Sequence, residues 1–146
     1  MRLIDRIVIH CSATEAGKEV TVKDITEWHK ERGFITIGYH FVIYANGKIN
    51  AGRSIEWGGA HAQGYNDHSI GICYIGGLKD GKSADTRTPQ QKQSLRNLVD
   101  TLRIIYPGIK KVNGHRDLSV DMNGDGIISP SEWMKDCPCF DVRTEL

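Results

Sequence analysis

The chain has 146 residues, a formal net charge of +1 at pH 7, and 39% hydrophobic and 25% charged residues. These values are typical of one globular domain with its own core, and they provide no general attraction to nucleic acid or membranes. No apolar run is long enough to cross a bilayer or to form a signal-peptide core. We therefore expect a monomer that is made in the cytoplasm without a signal peptide.

The four cysteines are predicted to be reduced. Cys137 and Cys139 are separated by a single proline, which would strain a disulfide between them. If one of them binds a metal, an odd number of thiols remains, which is a poor disulfide framework. Cys73 lies in an apolar run and is interpreted as a small buried residue.

The first half of the chain begins with a predicted strand and a predicted helix. Residues 4–10 are rich in Ile and Val, which indicates a strand. Residues 22–32 have the pattern of a helix, because Thr21 can cap the first turn and Gly33 follows the end.

The middle of the chain predicts three strands. Residues 39–45 and 48–52 surround Asn46-Gly47, which is the strongest short-range signal for a β-hairpin. Residues 69–75 are apolar and end at two glycines, so an interior strand is expected there.

The clearest helix signal covers residues 89–105. Thr88 is its predicted N-cap, and Gln91 completes a capping box. The predicted buried stripe consists of Leu95, Leu98, Val99, Leu102 and Ile105.

A short strand is expected over residues 110–113. Together the elements predict an α/β fold with a single mixed β-sheet of four to six strands, flanked by two main helices.

Three residues far apart in the sequence have the donor types of a catalytic zinc site. His10 ends the first predicted strand, His115 lies in the motif NGHRD, and Cys137 lies in the motif KDCPCFD. Catalytic zinc takes three protein ligands and keeps a fourth position for water. Asp117 is a candidate acceptor for the His115 ring. Taken singly, His10 is more typical of a hydrogen-bonded histidine at a sheet edge, and Cys137 of a small core residue, so spacing alone supports a hypothesis only.

Eight stretches of the chain resemble one enzyme family, the phage-lysozyme type of N-acetylmuramoyl-L-alanine amidase, which is related to the peptidoglycan recognition proteins. They occur in the family order over nearly the whole chain. These stretches are residues 9–14, 28–33, 37–43, 47–53, 59–64, 66–71, 114–117 and 135–141.

The resemblance implies a zinc hydrolase that cleaves the amide bond between N-acetylmuramic acid and L-alanine in bacterial peptidoglycan. It implies that His10, His115 and Cys137 bind zinc. It also implies that Tyr39 donates or relays a proton and that Lys135 stabilises charge on the carbonyl oxygen. From the residues alone, Tyr39 is equally compatible with a core position, whereas Lys135 is more typical of a solvated helix end.

The same resemblance places His29, His61 and Asn66 at groove positions that contact glycan or peptide. It also implies that the enzyme reaches the cell wall through a phage holin, another secretion route or cell lysis. The main alternative is a peptidoglycan-recognition module that binds without cleaving. Non-catalytic recognition relatives typically lack the cysteine ligand, so the presence of Cys137 favours an enzyme.

Residues 121–132 match the calcium-binding loop of an EF-hand, inserted within the single predicted domain of residues 1–146. Gly126 is at the position of the sharp turn. The predicted calcium ligands are Asp121, Asn123, Asp125, Ile127, Ser129 and Glu132. Only the segment that follows the loop, residues 130–135, has a helical pattern, and no helix is predicted before the loop. A sensor needs a pair of helices that can open, so the pattern indicates a structural calcium site. A third interpretation, a calcium-binding interaction domain, leaves the zinc-type residues unexplained.

Overall fold

The computed structural model describes residues 2–146, and its strands form two sheets. In chain order the strands are β1 (Arg6–Cys11), β2 (Thr14–Glu15), β3 (Phe41–Ile43), β4 (Ile49–Ala51), β5 (Ser69–Tyr74), β6 (Gly77–Lys79), β7 (Lys82–Ser83) and β8 (Lys111–Gly114). The main sheet has the order β4-β3-β5-β1-β8, in which β4 alone is antiparallel to its neighbour. The predicted mixed sheet is confirmed.

The helices are fewer than the strands and cover both faces of the main sheet. They are α1 (Val22–Glu31), α2 (Pro89–Ile105) and α3 (Val142–Glu145), with 3₁₀ turns at Asn66–His68, His115–Leu118 and Pro130–Glu132. No helix among residues 2–146 has the length and apolarity needed to cross a membrane.

A second, three-stranded sheet has the order β2-β6-β7 and was not predicted. Its strands are two or three residues long, which is too short for an alternating pattern in the sequence. Its first pairing joins Thr14 to Gly77, so it depends on the position of β1 and β5 rather than on local residues.

The larger core lies between α2 and the main sheet. Four residues of the predicted helix stripe are buried against the isoleucines of β1 and β5: Leu95, Leu98, Val99 and Leu102. The prediction for Ile105 is wrong, since this side chain is 59% exposed at the end of α2. Ile109 joins the core instead, because the chain turns back toward the sheet after the helix.

The start of α2 is attached to the sheet through Gln91. The predicted capping box with Thr88 is confirmed, and the Gln91 amide accepts the Thr88 N–H at 3.0 Å. Its Nε2 donates to the carbonyl oxygens of Ile43 and Ile75 at 3.3 and 2.9 Å. A fully buried amide with both ends bonded therefore sets where the helix begins against the ends of β3 and β5.

The opposite face of the sheet is covered by α1, whose N-cap is Thr21, as predicted. Ile25 packs in a smaller core with Ile37 and Val42. His29, one turn after Ile25, is also buried. This face of the sheet carries the side chain of His10, so α1 forms one wall beside it.

Candidate metal centre and groove

His10 and His115 meet because their strands are parallel neighbours. His10 is near the carboxyl end of β1, and His115 follows the carboxyl end of β8. The carboxyl ends of parallel strands lie at the same edge of a sheet, which is the usual place for ligand sites in such folds. The two imidazole rings have centroids 4.7 Å apart.

Cys137 reaches this edge through hydrogen bonds to three other parts of the chain. Its carbonyl accepts the Arg116 N–H at 2.9 Å, and its Sγ accepts the Cys11 N–H at 3.2 Å. The Tyr74 hydroxyl donates to the carbonyl of Pro138 at 2.6 Å. Residues 137–138 are therefore held beside the end of β1 by hydrogen bonds from Cys11, Tyr74 and Arg116.

Gly114 permits the close approach of this segment. A Cβ at Gly114 would lie 2.7 Å from the Cδ of Pro138, so a side chain there would displace the residue that follows Cys137. The Asp117 carboxylate accepts the Gly114 N–H at 2.8 Å and closes the turn after β8. Within residues 2–146 no hydrogen bond joins Asp117 to the His115 ring, which differs from the expected role of Asp117.

The three candidate ligand atoms fit a zinc ion. They lie within 4.8 Å of one another, and His10 Nδ1 is 3.8 Å from Cys137 Sγ. A tetrahedral zinc with ordinary bond lengths separates nitrogen and sulfur ligands by about 3.5 Å. Burial lowers the pKa of His10 well below its usual range and that of His115 to about 4. Both rings are therefore neutral at pH 7, as metal ligation requires.

A groove passes over the candidate metal centre. Two cavities, of about 600 Å³ and 280 Å³, share the lining residues Arg32, Ala60, His61, His115 and Lys135. The smaller cavity also includes His10 and Cys137. Arg32 and Lys135 contribute positive charge, and among residues 2–146 no Asp or Glu lines either cavity. The groove is thus suited to a ligand with anionic groups.

The two predicted catalytic residues both border the smaller cavity. The Tyr39 ring lies 5.0 Å from the His10 ring between centroids, and burial raises the pKa of its phenol well above the usual value. Tyr39 therefore stays protonated and can act as a donor. Lys135 is exposed and lies in an irregular segment rather than at a helix end.

His29 lies beneath Tyr39, with ring centroids 5.3 Å apart. Its Nδ1 accepts the Gly38 N–H at 2.9 Å, and burial lowers its pKa to about 4. The ring borders the smaller cavity. The prediction that His29 contacts substrate stays a prediction.

His61 and Asn66 line the larger cavity, but both ring nitrogens of His61 and the side-chain oxygen of Asn66 have internal partners. The Asn66 side-chain oxygen accepts the N–H groups of His61 and Ala62, both at 2.9 Å. His61 Nδ1 lies 2.9 Å from His10 Nε2, and His61 Nε2 lies 3.2 Å from Ser69 Oγ. Their predicted contact with substrate stays untested, and this buried hydrogen-bonding pattern was not predicted.

Sequence reasoning did not identify Arg32 or Trp28 as residues of the groove, although both line the smaller cavity. The spacing of Ile25, Trp28 and Arg32 in the sequence was the available signal, because it places these residues on one side of a helix.

His40 is buried, and its ring nitrogens contact the Gly71 N–H at 3.0 Å and the Trp57 carbonyl at 2.8 Å. It is a structural histidine outside both cavities.

The candidate calcium loop is exposed and folded back on itself. Carboxylate oxygens of Asp121, Asp125 and Glu132 lie within 4.8 Å of one another. Asp121 accepts the N–H groups of Gly124 and Gly126 at 3.0 and 2.8 Å. The remaining predicted ligands, Asn123, Ile127 and Ser129, lie between them in the chain.

The expectation of a helix over residues 130–135 is wrong. Only Pro130–Glu132 forms a 3₁₀ turn, and Trp133 is extended. The Glu132 carboxylate accepts from the N–H and Oγ of Ser129 at 3.0 and 2.9 Å, which completes the local cap without a longer helix. The next residues do not continue the turn. The Met134 N–H instead donates to Ser119 Oγ at 3.0 Å, at the end of the 3₁₀ turn that begins with His115.

A mixed sheet that carries two neutral imidazoles and a thiol beside an open groove fits the donor set of a catalytic metal site. Comparison with known proteins identifies the family. Residues 1–139 match the N-acetylmuramoyl-L-alanine amidases, and the chain belongs to that family. The resemblance predicted from the sequence is confirmed.

Individual relatives agree with this assignment. The chain is 41% identical over 140 residues to the endolysin of Escherichia phage T7, covering 95% of this chain and 83% of the relative. Its fold is similar to the N-acetylmuramoyl-L-alanine amidase LysC from Clostridium intestinale, with a TM-score of 0.72, 30% identity, and coverage of 94% and 78%. A Drosophila PGRP-LB mutant in complex with tracheal cytotoxin has a TM-score of 0.71, 27% identity, and coverage of 94% and 76%.

Proposed function

We propose that this amidase is zinc-dependent and hydrolyses the bond between N-acetylmuramic acid and L-alanine in bacterial peptidoglycan. The observation that carries the proposal is the convergence of His10, His115 and Cys137 within 4.8 Å at the floor of the groove. When bound there, zinc supplies a water nucleophile of lowered pKa and polarises the substrate carbonyl. The site of action is the cell wall, in keeping with the endolysin name of the phage relative.

The groove supports a peptidoglycan stem as ligand. Stem peptides carry carboxylates, and the groove presents Arg32 and Lys135 without a lining carboxylate among the described residues. We propose that Lys135 holds the carbonyl oxygen at which negative charge develops. The protonated Tyr39 hydroxyl donates a hydrogen bond to the reacting amide or to its leaving nitrogen. We propose that His29, His61 and Asn66 border the bound glycan or peptide, because each lines one of the two cavities.

Analysis of digested muropeptides tests the proposed reaction. We expect mass spectrometry to show a peptide with a free amino-terminal L-alanine and a glycan that retains its lactyl carboxylate, in the presence of zinc. Intact muropeptide that stays bound to the protein would instead support a recognition module. Shortened glycan chains with the peptide attached would indicate cleavage of the wrong bond and would overturn the proposal.

Replacement of Lys135 by alanine separates its role in catalysis from a role in metal binding. We expect turnover to fall by roughly 10²-fold, the size found when one donor to a developing oxyanion is removed. Zinc content should stay at the wild-type level, because Lys135 is exposed and is not among the three ligands. Lys110→Ala, at an exposed lysine outside both cavities, is the control. Loss of zinc from the Lys135 variant would argue that this residue shapes the site rather than the reaction.

We also propose that residues 121–132 bind calcium and that the ion holds the segment leading to Lys135 and Cys137. The proposal is supported by the approach of the carboxylates of Asp121, Asp125 and Glu132 within 4.8 Å. Gly124 and Gly126 have φ angles of +71° and +79°, which turn the loop around these oxygens. Asn123, Ile127 and Ser129 provide the further oxygen ligands that calcium requires.

Calcium binding is expected to raise the melting temperature of the zinc-loaded protein. A ligand at 100 times its dissociation constant adds about 2.7 kcal/mol to the free energy of unfolding. The zinc concentration is kept constant with a metal buffer while calcium is varied. The Glu132→Gln variant should lose the shift, whereas Glu27→Gln, on an exposed position of α1, should keep it. An unchanged melting temperature in wild-type protein at millimolar calcium would rule out the site.

A further inference from the structure

The two ring nitrogens of His10 have different surroundings. Nδ1 faces Cys137 Sγ at 3.8 Å and is the nitrogen directed toward the candidate metal. Nε2 faces away from the thiol and lies 2.9 Å from Nδ1 of His61. A neutral imidazole has one nitrogen with a lone pair and one with a hydrogen. If Nδ1 offers its lone pair to a metal, Nε2 carries the hydrogen and must donate it.

This assignment determines the protonation of the next ring. His61 Nδ1 must accept the Nε2–H of His10, so the hydrogen of His61 is on its own Nε2. That nitrogen lies 3.2 Å from Ser69 Oγ, which can accept it. One tautomer of each histidine thus satisfies every contact from His10 through His61 to Ser69. The opposite tautomer of His61 would place two hydrogens between the rings.

The His61 ring is held in one orientation by its surroundings. The rings of His10 and His61 meet edge to face, with an interplanar angle of 89° and centroids 5.0 Å apart. Gly71 lies against the His61 ring, and a Cβ there would be 2.7 Å from it. A Cβ at Gly59 would lie even closer to the ring. The Asn66 side chain fixes the backbone of the same loop through two hydrogen bonds.

We propose that His61 is a positioning residue for the metal centre, because it accepts the Nε2–H of His10 and thereby keeps Nδ1 free for the metal. The inference rests on the proposed zinc site. It gives His61 a role behind the ligand rather than in direct contact with substrate. His10 is 2% exposed and Ser69 is fully buried, so both hydrogen-bond partners of the His61 ring are shielded from solvent while the ring is in place. Removal of such an outer partner typically weakens metal binding 10- to 100-fold.

Two substitutions at His61 separate the hydrogen bond from the bulk of the ring. His61→Phe keeps an aromatic ring and removes the acceptor, whereas His61→Asn keeps an oxygen near the position of Nδ1. We expect zinc affinity, measured by competition with a chromophoric chelator, to fall about 10- to 100-fold in His61→Phe. It should recover at least partly in His61→Asn. The visible spectrum of the cobalt-substituted protein should change in His61→Phe and return toward wild type in His61→Asn.

His68→Phe is the matched control, because His68 is a loop histidine bonded to Asp5 and lies outside both cavities. Ser69→Ala is a second test that leaves the His61 ring in place, and it should weaken zinc binding by a smaller factor. Wild-type zinc affinity and cobalt spectrum in His61→Phe would overturn the inference. A higher KM at unchanged zinc affinity would also overturn it and would favour substrate contact. Absence of zinc binding in wild-type protein would instead defeat the proposed function.

Discussion

Replacing Cys137 with serine is expected to remove most of the bound zinc and to lower amidase activity by on the order of 10²-fold or more, because the metal provides the nucleophile at neutral pH. A serine hydroxyl is a much poorer zinc ligand than a thiolate. The surrounding backbone should stay folded, since the carbonyl of Cys137 keeps its bond from the Arg116 N–H. Metal content by atomic emission and release of peptide from muropeptides measure the two effects.

Cys139→Ser is the matched control for this experiment. It makes the same chemical change two residues away, at another half-buried thiol, and Cys139 is not among the three candidate ligands. Its Sγ donates a weak hydrogen bond to the Gly77 carbonyl at 3.5 Å and lies 3.9 Å from Cys11 Sγ. Equal zinc content and equal activity in the Cys137 variant and in wild type would reject the thiol as a ligand.

Arg87→Ala is expected to destabilise the fold from a position outside the groove. The guanidinium side chain is 2% exposed and makes a two-pronged ion pair with Asp85, with both N–O distances 2.9 Å. It also bonds Glu145 at 2.8 Å and lies 3.4 Å from the ring centroid of Phe140. These contacts tie the segment that follows Cys137 to the start of α2.

We expect the free energy of unfolding to fall by about 2 kcal/mol in Arg87→Ala. This value is below that of a fully buried pair, because the side chains of Asp85 and Glu145 are 33% and 43% exposed and can be hydrated. Arg87→Lys should lose about half as much, since lysine keeps the charge but not the two-pronged geometry. Arg103→Ala, at an exposed position of α2, should change stability by less than about 0.5 kcal/mol. Urea unfolding of the metal-free proteins provides the measurement.

The effect of Arg87 should depend on pH in a defined direction. Burial raises the pKa of Asp85, but hydrogen bonds and charge from Arg87 outweigh it, so the folded-state pKa is lowered. A lowered carboxyl pKa stabilises the fold above the unfolded value of about 3.9 and loses this effect as the pH falls through the folded value. The stability difference between wild type and Arg87→Ala should therefore be complete at pH 6 and shrink below about pH 4. A difference that grows on acidification would contradict the assigned ion pair.

The elements with local signals were predicted most accurately. The α2 helix has the predicted bounds and cap because Thr88, Pro89 and Gln91 act within one turn. The hairpin around Asn46-Gly47 is present for the same reason, with Gly47 at a φ of +88°. The exposed Ile105 and the missing helix after Glu132 were predicted wrongly. In both cases the sequence had the expected local pattern, but the packing of the chain against the sheet gave these residues a different position.

The residue types of the candidate metal site could be predicted from the sequence, whereas the contacts between their side chains could not. Family resemblance marked His10, His115 and Cys137, and the structure brings their ligand atoms together. The contact between His10 and His61 had no signal in the sequence, because it joins a strand to an irregular loop 51 residues away. The same applies to Arg87, whose partner Glu145 is 58 residues further along the chain.

The amino-acid sequence alone determined the five strands of the main sheet, the two long helices, the donor atoms available for a metal and the family of the chain. Capping, turn geometry and apolar periodicity act over a few neighbouring residues, so they can be recognised without a fold. Only the tertiary structure decided which nitrogen of His10 faces Cys137 and which faces His61. Those orientations follow from the parallel pairing of β1 with β5 and β8, a long-range arrangement that no short stretch of residues encodes.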